Sequence, residues 1–370
     1  MQNILVTGAN GFIGKNLLEY LGRREKVNIM AIGRNAGKKE WENALAVADV
    51  IYHLAGVNRT NHVEDFREGN IEVTEQLVSI LRQYKRKPRL IYASSIQASL
   101  DNPYGKSKKA AEEVLAAFSQ ETGSEVVIYR LPNVFGKWCK PHYNSVVATF
   151  CFNLAQGLDI SITDPDKKLE LVYIDDVIHT FIEWLHPAKV PNSIYYTIDQ
   201  THEITVGDLA RNIREFSYVR KQAILPDLSQ PLTKYLYTTY LSYLDRADFT
   251  YDLTVHRDHR GSLFELLKSE AFGQIFVSRS NKGVVRGNHY HNTKVEKFCV
   301  IKGKAKVLFR NIWEDDSFSY DLTDEKIVVL DIPPGYTHSI ENVSDDELIV
   351  LFWANEIFQK ESPDTYPLNV

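Results

Sequence analysis

Cysteine, methionine, net positive charge and long apolar runs are all scarce in this 370-residue sequence. Its three cysteines, Cys139, Cys151 and Cys299, form no close pair, which excludes a disulfide framework and indicates a reducing compartment. A net charge of −5 excludes the basic surface of a general nucleic-acid binder. Because no run of 18 apolar residues and no leader-like start is present, we expect no membrane insertion and a cytoplasmic location.

Two different patterns of secondary structure divide the chain. Over residues 1–245 short apolar runs alternate with helical patterns, which predicts a doubly wound parallel sheet of the Rossmann type. From residue 246 to 370 the runs become short and β-rich, with Gly, Asn, Asp or Pro between them, which predicts an all-β jelly-roll barrel. We expect two domains with their boundary after the helical pattern that ends near Asp245.

A Gly-rich turn opens the first half. Ile4–Val6 has the apolar character of a buried strand, and Gly8, Gly11 and Gly14 follow it before a helical pattern begins. The free N–H groups and the dipole of a helix N-terminus bind phosphate, and glycines allow the tight turn and the close approach of the ligand. This stretch predicts a dinucleotide site.

The next two strands indicate which dinucleotide is bound and where it lies. Val27–Ile32 ends in Gly33-Arg34, and no acidic residue occupies that strand end. Because an arginine there can bind a ribose 2′-phosphate, we favour NADPH. The alternative is that Arg34 is a solvated surface residue without contact to the cofactor. After the third strand, Leu54, Ala55 and Gly56 are small enough for the nucleoside to lie close.

Ser95, Tyr104 and Lys108 form the candidate catalytic set. Ser95 ends the fourth strand, and Tyr104 and Lys108 are spaced by four, so they share one face of a helix. A phenol is a poor acid at neutral pH unless a nearby cation favours its anion, and a serine hydroxyl can bond the same carbonyl oxygen. These side chains together suit proton transfer to a ketone.

T-G-x-x-G-F-x-G, the H-L-A-G strand end, Ser95, Y-x-x-x-K and R-L-P-N-V-F-G together resemble the extended short-chain dehydrogenase/reductases. The resemblance implies a nucleotide-sugar enzyme in which Asn133 contacts the cofactor or substrate, and in which Lys137 and His142 line the sugar-nucleotide pocket. The expected cofactor-binding residues are Gly8, Gly11, Phe12, Ile13, Gly14, Arg34, Leu54, Ala55, Gly56, Asn70, Tyr104 and Lys108.

The second half contains a pattern of possible metal ligands. His289 and His291 stand two apart and would face one side of a strand, and Glu296 and His338 follow at matched spacing with glycines around them. Three imidazoles and a carboxylate suit zinc above all, or iron, manganese or nickel. We expect a divalent metal bound by these four residues.

The same segments resemble the cupin motifs and, within the cupins, the dTDP-4-keto-sugar 3,5-epimerases. That resemblance rests on Arg260 in D-x-R-G, on Arg286 and His289 in R-G-x-H, and on Lys297. It implies substrate contacts from both arginines and a catalytic role for Lys297 near an enolate oxygen. His289 would be the catalytic base of those epimerases, which conflicts with its use as a metal ligand, and their catalytic tyrosine has no clear counterpart.

Over its full length the sequence resembles bifunctional capsule-biosynthesis enzymes of UDP-N-acetyl-L-fucosamine synthesis. The resemblance implies that the cupin epimerises carbon 3 of a UDP-2-acetamido-2,6-dideoxy-4-hexulose. The reductase then reduces the 4-keto group with NADPH to UDP-2-acetamido-2,6-dideoxy-L-talose, and the enzyme is a homodimer. Two alternatives stay open: a reductase whose cupin only forms the dimer around a structural metal, and an NADP-binding scaffold or sensor.

Overall fold

The computed structural model describes residues 1–24, 26–186, 193–222, 225–252, 256–258, 261–263, 273–356 and 361–370. Up to residue 249 its elements are β1 Gln2–Thr7, α1 Phe12–Gly22, β2 Val27–Ile32, α2 Lys38–Val47, β3 Val50–His53, α3 Val63–Phe66, a π-helical turn Arg67–Glu72, α4 Val73–Gln83, β4 Arg89–Ser95, a 3₁₀ turn Ile96–Ser99, α5 Pro103–Thr122, β5 Val126–Leu131, β6 Asn133–Phe135, α6 Val146–Ala155, β7 Lys168–Tyr173, α7 Ile174–Glu183, β8 Tyr195–Tyr196, β9 His202–Thr205, α8 Val206–Gln222, α9 Pro231–Leu241 and a second 3₁₀ turn Arg246–Phe249.

The remaining elements are all strands: β10 Thr250–Asp252, β11 His256–Asp258, β12 Gly261–Leu263, β13 Gln274–Ser280, β14 Val285–Tyr290, β15 Glu296–Lys302, β16 Lys304–Asn311, β17 Ser317–Thr323, β18 Val328–Ile332, β19 Tyr336–Asn342, β20 Leu348–Ala354 and β21 Tyr366–Pro367. By their contacts the residues form two units. The first contains 1–145 and 168–204, and the second contains 146–167 and 205–370. This grouping places α6, α8 and α9 with the later strands, and the boundary expected near Asp245 stays a prediction.

The first unit is built on a six-stranded sheet in the order β2-β1-β3-β4-β5-β8, paired in parallel throughout. Ile4, Leu5 and Val6 of β1 are fully buried, as a central strand covered on both faces requires. After β1 the chain adds β2 on one side and then β3 on the other. The topological switch point therefore lies between β1 and β3, where open α/β sheets bind ligands.

Ten strands of the second unit form two five-stranded sheets, in the orders β10-β18-β15-β20-β13 and β17-β16-β19-β14-β21, with antiparallel pairing, and β11 pairs separately with β12. Aromatic rings fill the space between them, among them Phe249, Phe309 and Phe318, with centroids 5.5–5.7 Å apart. Both the predicted parallel Rossmann sheet and the predicted all-β jelly roll are confirmed. Among the described residues, no helix has the length and hydropathy needed to cross a bilayer.

A buried ionic network holds one sheet of the second unit to its helices. Asp331 of β18 is fully buried and accepts from Lys297 of β15 and, at 2.7 Å, from Arg220 of α8. Arg220 also donates to the carbonyl of Thr250 at 2.9 Å, and Lys297 donates to the hydroxyl of Tyr251 at 3.3 Å. Burial alone would lower the pKa of Lys297, but the Asp331 carboxylate, Tyr237 and Tyr251 together raise that pKa above its ordinary value.

We expect Asp331→Ala to lower the free energy of unfolding by about 3–5 kcal/mol, because it leaves Lys297 and Arg220 as buried cations without their carboxylate. Equilibrium urea unfolding of the full chain measures the change. Asp345→Ala is the matched control, since that carboxylate is 99% exposed and pairs with Lys282 at the surface. Equal unfolding midpoints in the two variants would contradict a stabilising role for the network.

Candidate functional site

The Gly-rich turn after β1 is packed so closely that two of its glycines are required. Gly8 has φ +65°, and a Cβ there would lie 2.6 Å from the backbone nitrogen of Ala55. A Cβ on Gly14 would lie 2.3 Å from the carbonyl oxygen of Gly8. The turn therefore contacts both the start of α1 and the end of β3, and the predicted small residues Leu54, Ala55 and Gly56 lie beside it.

A directional chain of hydrogen bonds crosses the switch point. Thr74 donates its hydroxyl proton to the carbonyl of Asn70 at 2.7 Å, so it accepts from His53 Nε2 at 2.9 Å. His53 Nδ1 then accepts from the Thr7 hydroxyl at 2.8 Å, while Thr7 Oγ1 accepts the N–H groups of Leu54 and Ala55 at 3.2 Å. Burial, with the charge of Lys108, lowers the pKa of His53 to about 3, so its imidazole is neutral.

Asn70 joins this chain to the helix of the candidate catalytic residues. Its amide accepts from Val57 N at 2.8 Å and donates to Val57 O at 2.9 Å and to Ser107 Oγ at 2.8 Å. Asn70 lies inside the π-helical turn Arg67–Glu72, between α3 and α4. Such turns occur often at functional sites, and this one directs the amide to α5.

Ser95, Tyr104 and Lys108 are brought to one strand end. Asn102 Oδ1 accepts from Gly105 N at 2.8 Å and caps α5, so the helix begins where the Tyr104 side chain can approach Ser95. Burial raises the pKa of Tyr104 to about 12, although a hydrogen bond with Ser95 opposes the shift. The expected lowering of this pKa by Lys108 is not found, and Tyr104 is a protonated phenol at neutral pH.

Lys108 is almost fully buried. Its ammonium donates to the carbonyl of Ala93 at 2.7 Å and lies 4.2 Å from the ring centroid of Tyr92. Burial lowers the pKa of Lys108 to about 7, and the carboxylate of Glu112 opposes that shift. Glu112, only 1% exposed, lies one helical turn further along α5 and had not been singled out from the sequence, although its i, i+4 spacing from Lys108 gives a signal.

Glu112 is held from behind by Ser94 and Arg130. Ser94 donates its hydroxyl to one carboxylate oxygen, and Arg130 makes a two-point contact at 3.1 and 2.7 Å. The arginine of the R-L-P-N segment therefore orients a carboxylate of α5. A bidentate arginine fixes the carboxylate in one orientation, which keeps its charge near Lys108.

The other residues expected to contact cofactor or substrate are spread over the first unit. Arg34 is exposed just after β2, and His142 is exposed with φ +54°. Asn133 is also exposed and donates to the carbonyl of Glu170 at 3.0 Å. Lys137 is fully buried with its ammonium 3.1 Å from Asp175, a position that favours a structural role over the expected contact with substrate.

His289, His291, Glu296 and His338 are brought together in the second unit. One possible ligand atom from each lies within 4.8 Å of those of the others. His289 of β14 pairs across the strands with His338 of β19, after a bulge at Gly287 and Asn288 that have φ +100° and +56°. Glu296 begins β15 in the facing sheet, so the cluster is assembled from both sheets.

The cluster has the chemistry of a metal site. His291 Nε2 and both ring nitrogens of His338 are buried without a hydrogen-bond partner among the described residues, which is costly unless they bind a ligand. Burial lowers the pKa of His289 to about 4 and that of His338 well below its usual range. Neutral imidazoles offer lone pairs to a metal, and these residues fit a divalent cation.

Two other residues expected to act in the barrel, Lys297 and Arg286, are not part of this cluster. Lys297 follows Glu296 on the same strand, and adjacent strand residues point to opposite faces, so its side chain joins Asp331 on the side away from the histidines. Arg286 is exposed on β14 and donates to Ser280 Oγ at 2.8 Å. Arg260 lies outside the described residues.

Comparison with known proteins places the first unit in a family. The model of the NAD dependent epimerase/dehydratase family matches residues 4–198, which is more than half of the chain, and the model of the polysaccharide biosynthesis C-terminal domain matches residues 256–366. The chain belongs to the NAD dependent epimerase/dehydratase family. Its members bind a nicotinamide dinucleotide, which agrees with the Gly-rich turn at the switch point.

Two relatives resemble the chain over its full length. UDP-2-acetamido-2,6-beta-L-arabino-hexul-4-ose reductase from Pseudomonas aeruginosa is 43% identical over 100% of this chain and 99% of its own. The crystal structure of the capsular polysaccharide assembling protein CapF from Staphylococcus aureus is 41% identical, with a TM-score of 0.69 and complete coverage of both chains. A UDP-glucuronic acid 4-epimerase from Bacillus cereus, at 20% identity, a TM-score of 0.54 and 58% coverage of this chain and 84% of its own, shares the fold.

We expect Gly14→Ala to weaken dinucleotide binding at least about tenfold, because its Cβ meets backbone that cannot move without displacing the turn. Fluorescence titration with the reduced dinucleotide measures the dissociation constant. Gly22→Ala, in the last turn of the same helix, is the matched control, since no atom lies within 4 Å of its added Cβ. Unchanged affinity in Gly14→Ala would show that the turn does not receive the pyrophosphate.

Proposed function

We propose that this protein is a nucleotide-sugar 4-ketoreductase of capsule synthesis that uses NADPH. The observation that carries the proposal is the placement of Ser95, Tyr104 and Lys108 at the end of β4, two strands from the Gly-rich turn. The full-length relative from Pseudomonas aeruginosa, which is named as a reductase of a UDP-linked 4-hexulose, supports the substrate class. An acid set of this kind has no use in a scaffold or sensor.

Reduction of the 4-keto group transfers one hydride to carbon 4 and one proton to O4. The bound nicotinamide supplies the hydride. Tyr104 donates the phenolic proton to O4, and its raised pKa keeps that proton in place at neutral pH. Ser95 orients the carbonyl through its hydroxyl, and Lys108 binds the cofactor ribose.

Arg34 supports NADPH rather than NADH. It is exposed two residues after β2, whose last carbonyl accepts the backbone N–H of Ala9 in the Gly-rich turn at 3.2 Å. That position suits contact between a guanidinium and a ribose 2′-phosphate, and no carboxylate is present there to bind a 2′-hydroxyl. The ratio of kcat/KM for the two cofactors, in wild type and Arg34→Ala, tests this preference.

We also propose that the barrel is a metal-binding cupin that epimerises carbon 3 before the reduction. The 4-keto group acidifies the proton at carbon 3, so epimerisation must precede loss of the ketone. A divalent cation held by His289, His291, Glu296 and His338, most suitably zinc, would act as a Lewis acid. His289, the ligand that is only partly buried, is then the one nearest to an entering sugar.

One observation favours a second function for the barrel. Lys297, expected to stabilise an enolate, points away from the histidine cluster into the ionic network with Asp331. If the Lys297 ammonium does not reach the sugar, the barrel could be a structural metal-binding module beside a monofunctional reductase. The homodimer and the cytoplasmic location expected from the sequence stay predictions.

We expect the wild-type protein in D₂O, given a UDP-4-keto-hexosamine without NADPH, to place deuterium at carbon 3 and, once NADPH is added, to form the 4-alcohol. NMR of the sugar reads both steps. Tyr104→Phe should retain the exchange and lose at least about 100-fold in reduction, because the proton donor is gone. His291→Ala should lose the exchange alone.

The outcomes separate the two proposed functions. Reduction at the wild-type rate by Tyr104→Phe would disprove the reductase assignment. Exchange that persists in His291→Ala, or that never occurs in the wild type although reduction does, would make the barrel structural.

We expect Glu112→Gln to move the alkaline fall of reductase kcat/KM to lower pH. Glu112 raises the pKa of Lys108, so removing its charge lets burial lower that pKa further, and the ammonium form is lost sooner as pH rises. The pH profile of NADPH oxidation measures the shift. Glu113→Gln, the exposed neighbour on α5, should leave the profile unchanged. A uniform loss at every pH would mean that Glu112 is only structural.

A further inference from the structure

The segment Asp364–Leu368 contacts the candidate metal site although it is more than 20 residues beyond the nearest ligand in sequence. The backbone carbonyl of Asp364 accepts a hydrogen bond from His291 Nδ1 at 2.6 Å. Because a carbonyl can only accept, Nδ1 carries the proton of the neutral ring and Nε2 keeps its lone pair. That Nε2 lies 3.4 Å from Glu296 Oε2, inside the cluster.

The side chain of Asp364 holds the turn that joins two of the ligands. Its carboxylate accepts the backbone N–H groups of Asn292, Thr293 and Lys294 at 3.0, 2.6 and 2.6 Å, and the Thr293 hydroxyl at 3.0 Å. These three residues lie between His291 and Glu296. One carboxylate thus accepts hydrogen bonds from a row of N–H groups and fixes the path of the chain from one ligand to the next.

The segment is itself fixed to the barrel. Tyr366 and Pro367 form β21 and pair with Tyr290 and His289 of β14. Leu368 N donates to the carbonyl of Asn288 at 2.9 Å, and Lys294 Nζ donates to Thr365 Oγ1 at 2.8 Å. These contacts are made by the four residues that directly follow Asp364, and they give it a defined position against the ligands.

We propose that Asp364 is a positioning residue of this metal site. Its carbonyl selects the tautomer in which His291 presents Nε2 to a divalent cation, and its carboxylate sets the spacing of His291 from Glu296. The inference rests on the metal site given above as part of the proposed function. Groups that orient the ligands of a metal commonly contribute about 10–100-fold to its affinity.

The test compares Zn²⁺ binding by full-length wild type, Asp364→Ala and Asp364→Asn, in competition with a chromophoric chelator. We expect about 10–100-fold weaker binding in Asp364→Ala and a smaller loss in Asp364→Asn, which retains one acceptor oxygen. Asp345→Ala, an exposed aspartate on the same unit, should bind as the wild type does. If Asp364→Ala does not fold, Asp364→Asn and Thr293→Val carry the comparison.

A second readout needs no metal. Long-range ¹H–¹⁵N spectra of histidine-labelled, metal-free protein report which ring nitrogen of His291 is protonated. We expect Nδ1–H in the wild type. Asp364→Ala keeps the carbonyl but loses the carboxylate that holds it against His291, so we expect a mixture of tautomers there, an effect that general loosening of the barrel would not confine to His291. Protonation at Nε2 in the wild type, or equal Zn²⁺ affinity in all variants, would overturn the role of Asp364. No Zn²⁺ binding by the wild type would overturn the metal site itself.

Discussion

The first unit depends on the two hydrogen bonds of the neutral His53 imidazole. This imidazole joins Thr7, which precedes the Gly-rich turn, to Thr74 at the start of α4, whose hydroxyl donates to the carbonyl of Asn70. Asn70 then reaches Ser107, within the turn of α5 that presents Tyr104 and Lys108. Because continuous hydrogen bonds link the groups of this path, the position of the turn and the position of the acid set are defined together.

In the first unit, charged and polar groups surround the buried Lys108. Lys108 is kept from solvent. Glu112 lies one helical turn away, and both Ser94 and Arg130 donate hydrogen bonds to its carboxylate. The second unit shows the converse arrangement, in which Asp331 is the buried anion between Lys297 and Arg220. In the first unit, Glu112 raises the pKa of Lys108. In the second unit, Asp331 holds β18 to β15 and α8.

Local patterns predicted most of the fold and much of the candidate site. The strand before Gly8, the Tyr104–Lys108 spacing and the four ligands of the barrel are all encoded within short windows, where periodicity and motif spacing are informative. The π-helical turn at Asn70 and the contact of Asp364 with His291 could not be predicted, since they depend on packing between residues far apart in sequence. For Lys297 the sequence did contain a signal, since strand alternation places its side chain on the opposite face from Glu296. Resemblance to the epimerases instead implied a catalytic role near the enolate.

The neighbouring Glu296 and Lys297 also fix the pairing register of β15. A slip of one residue would place the glutamate beside Asp331, where two carboxylates would meet. It would also place the lysine among the three imidazoles, away from its carboxylate partner. Each of these burials is costly, and together they disfavour the shifted pairing before any apolar contact is counted. Two adjacent side chains of opposite charge therefore select one alignment of the barrel strand that carries the candidate carboxylate ligand.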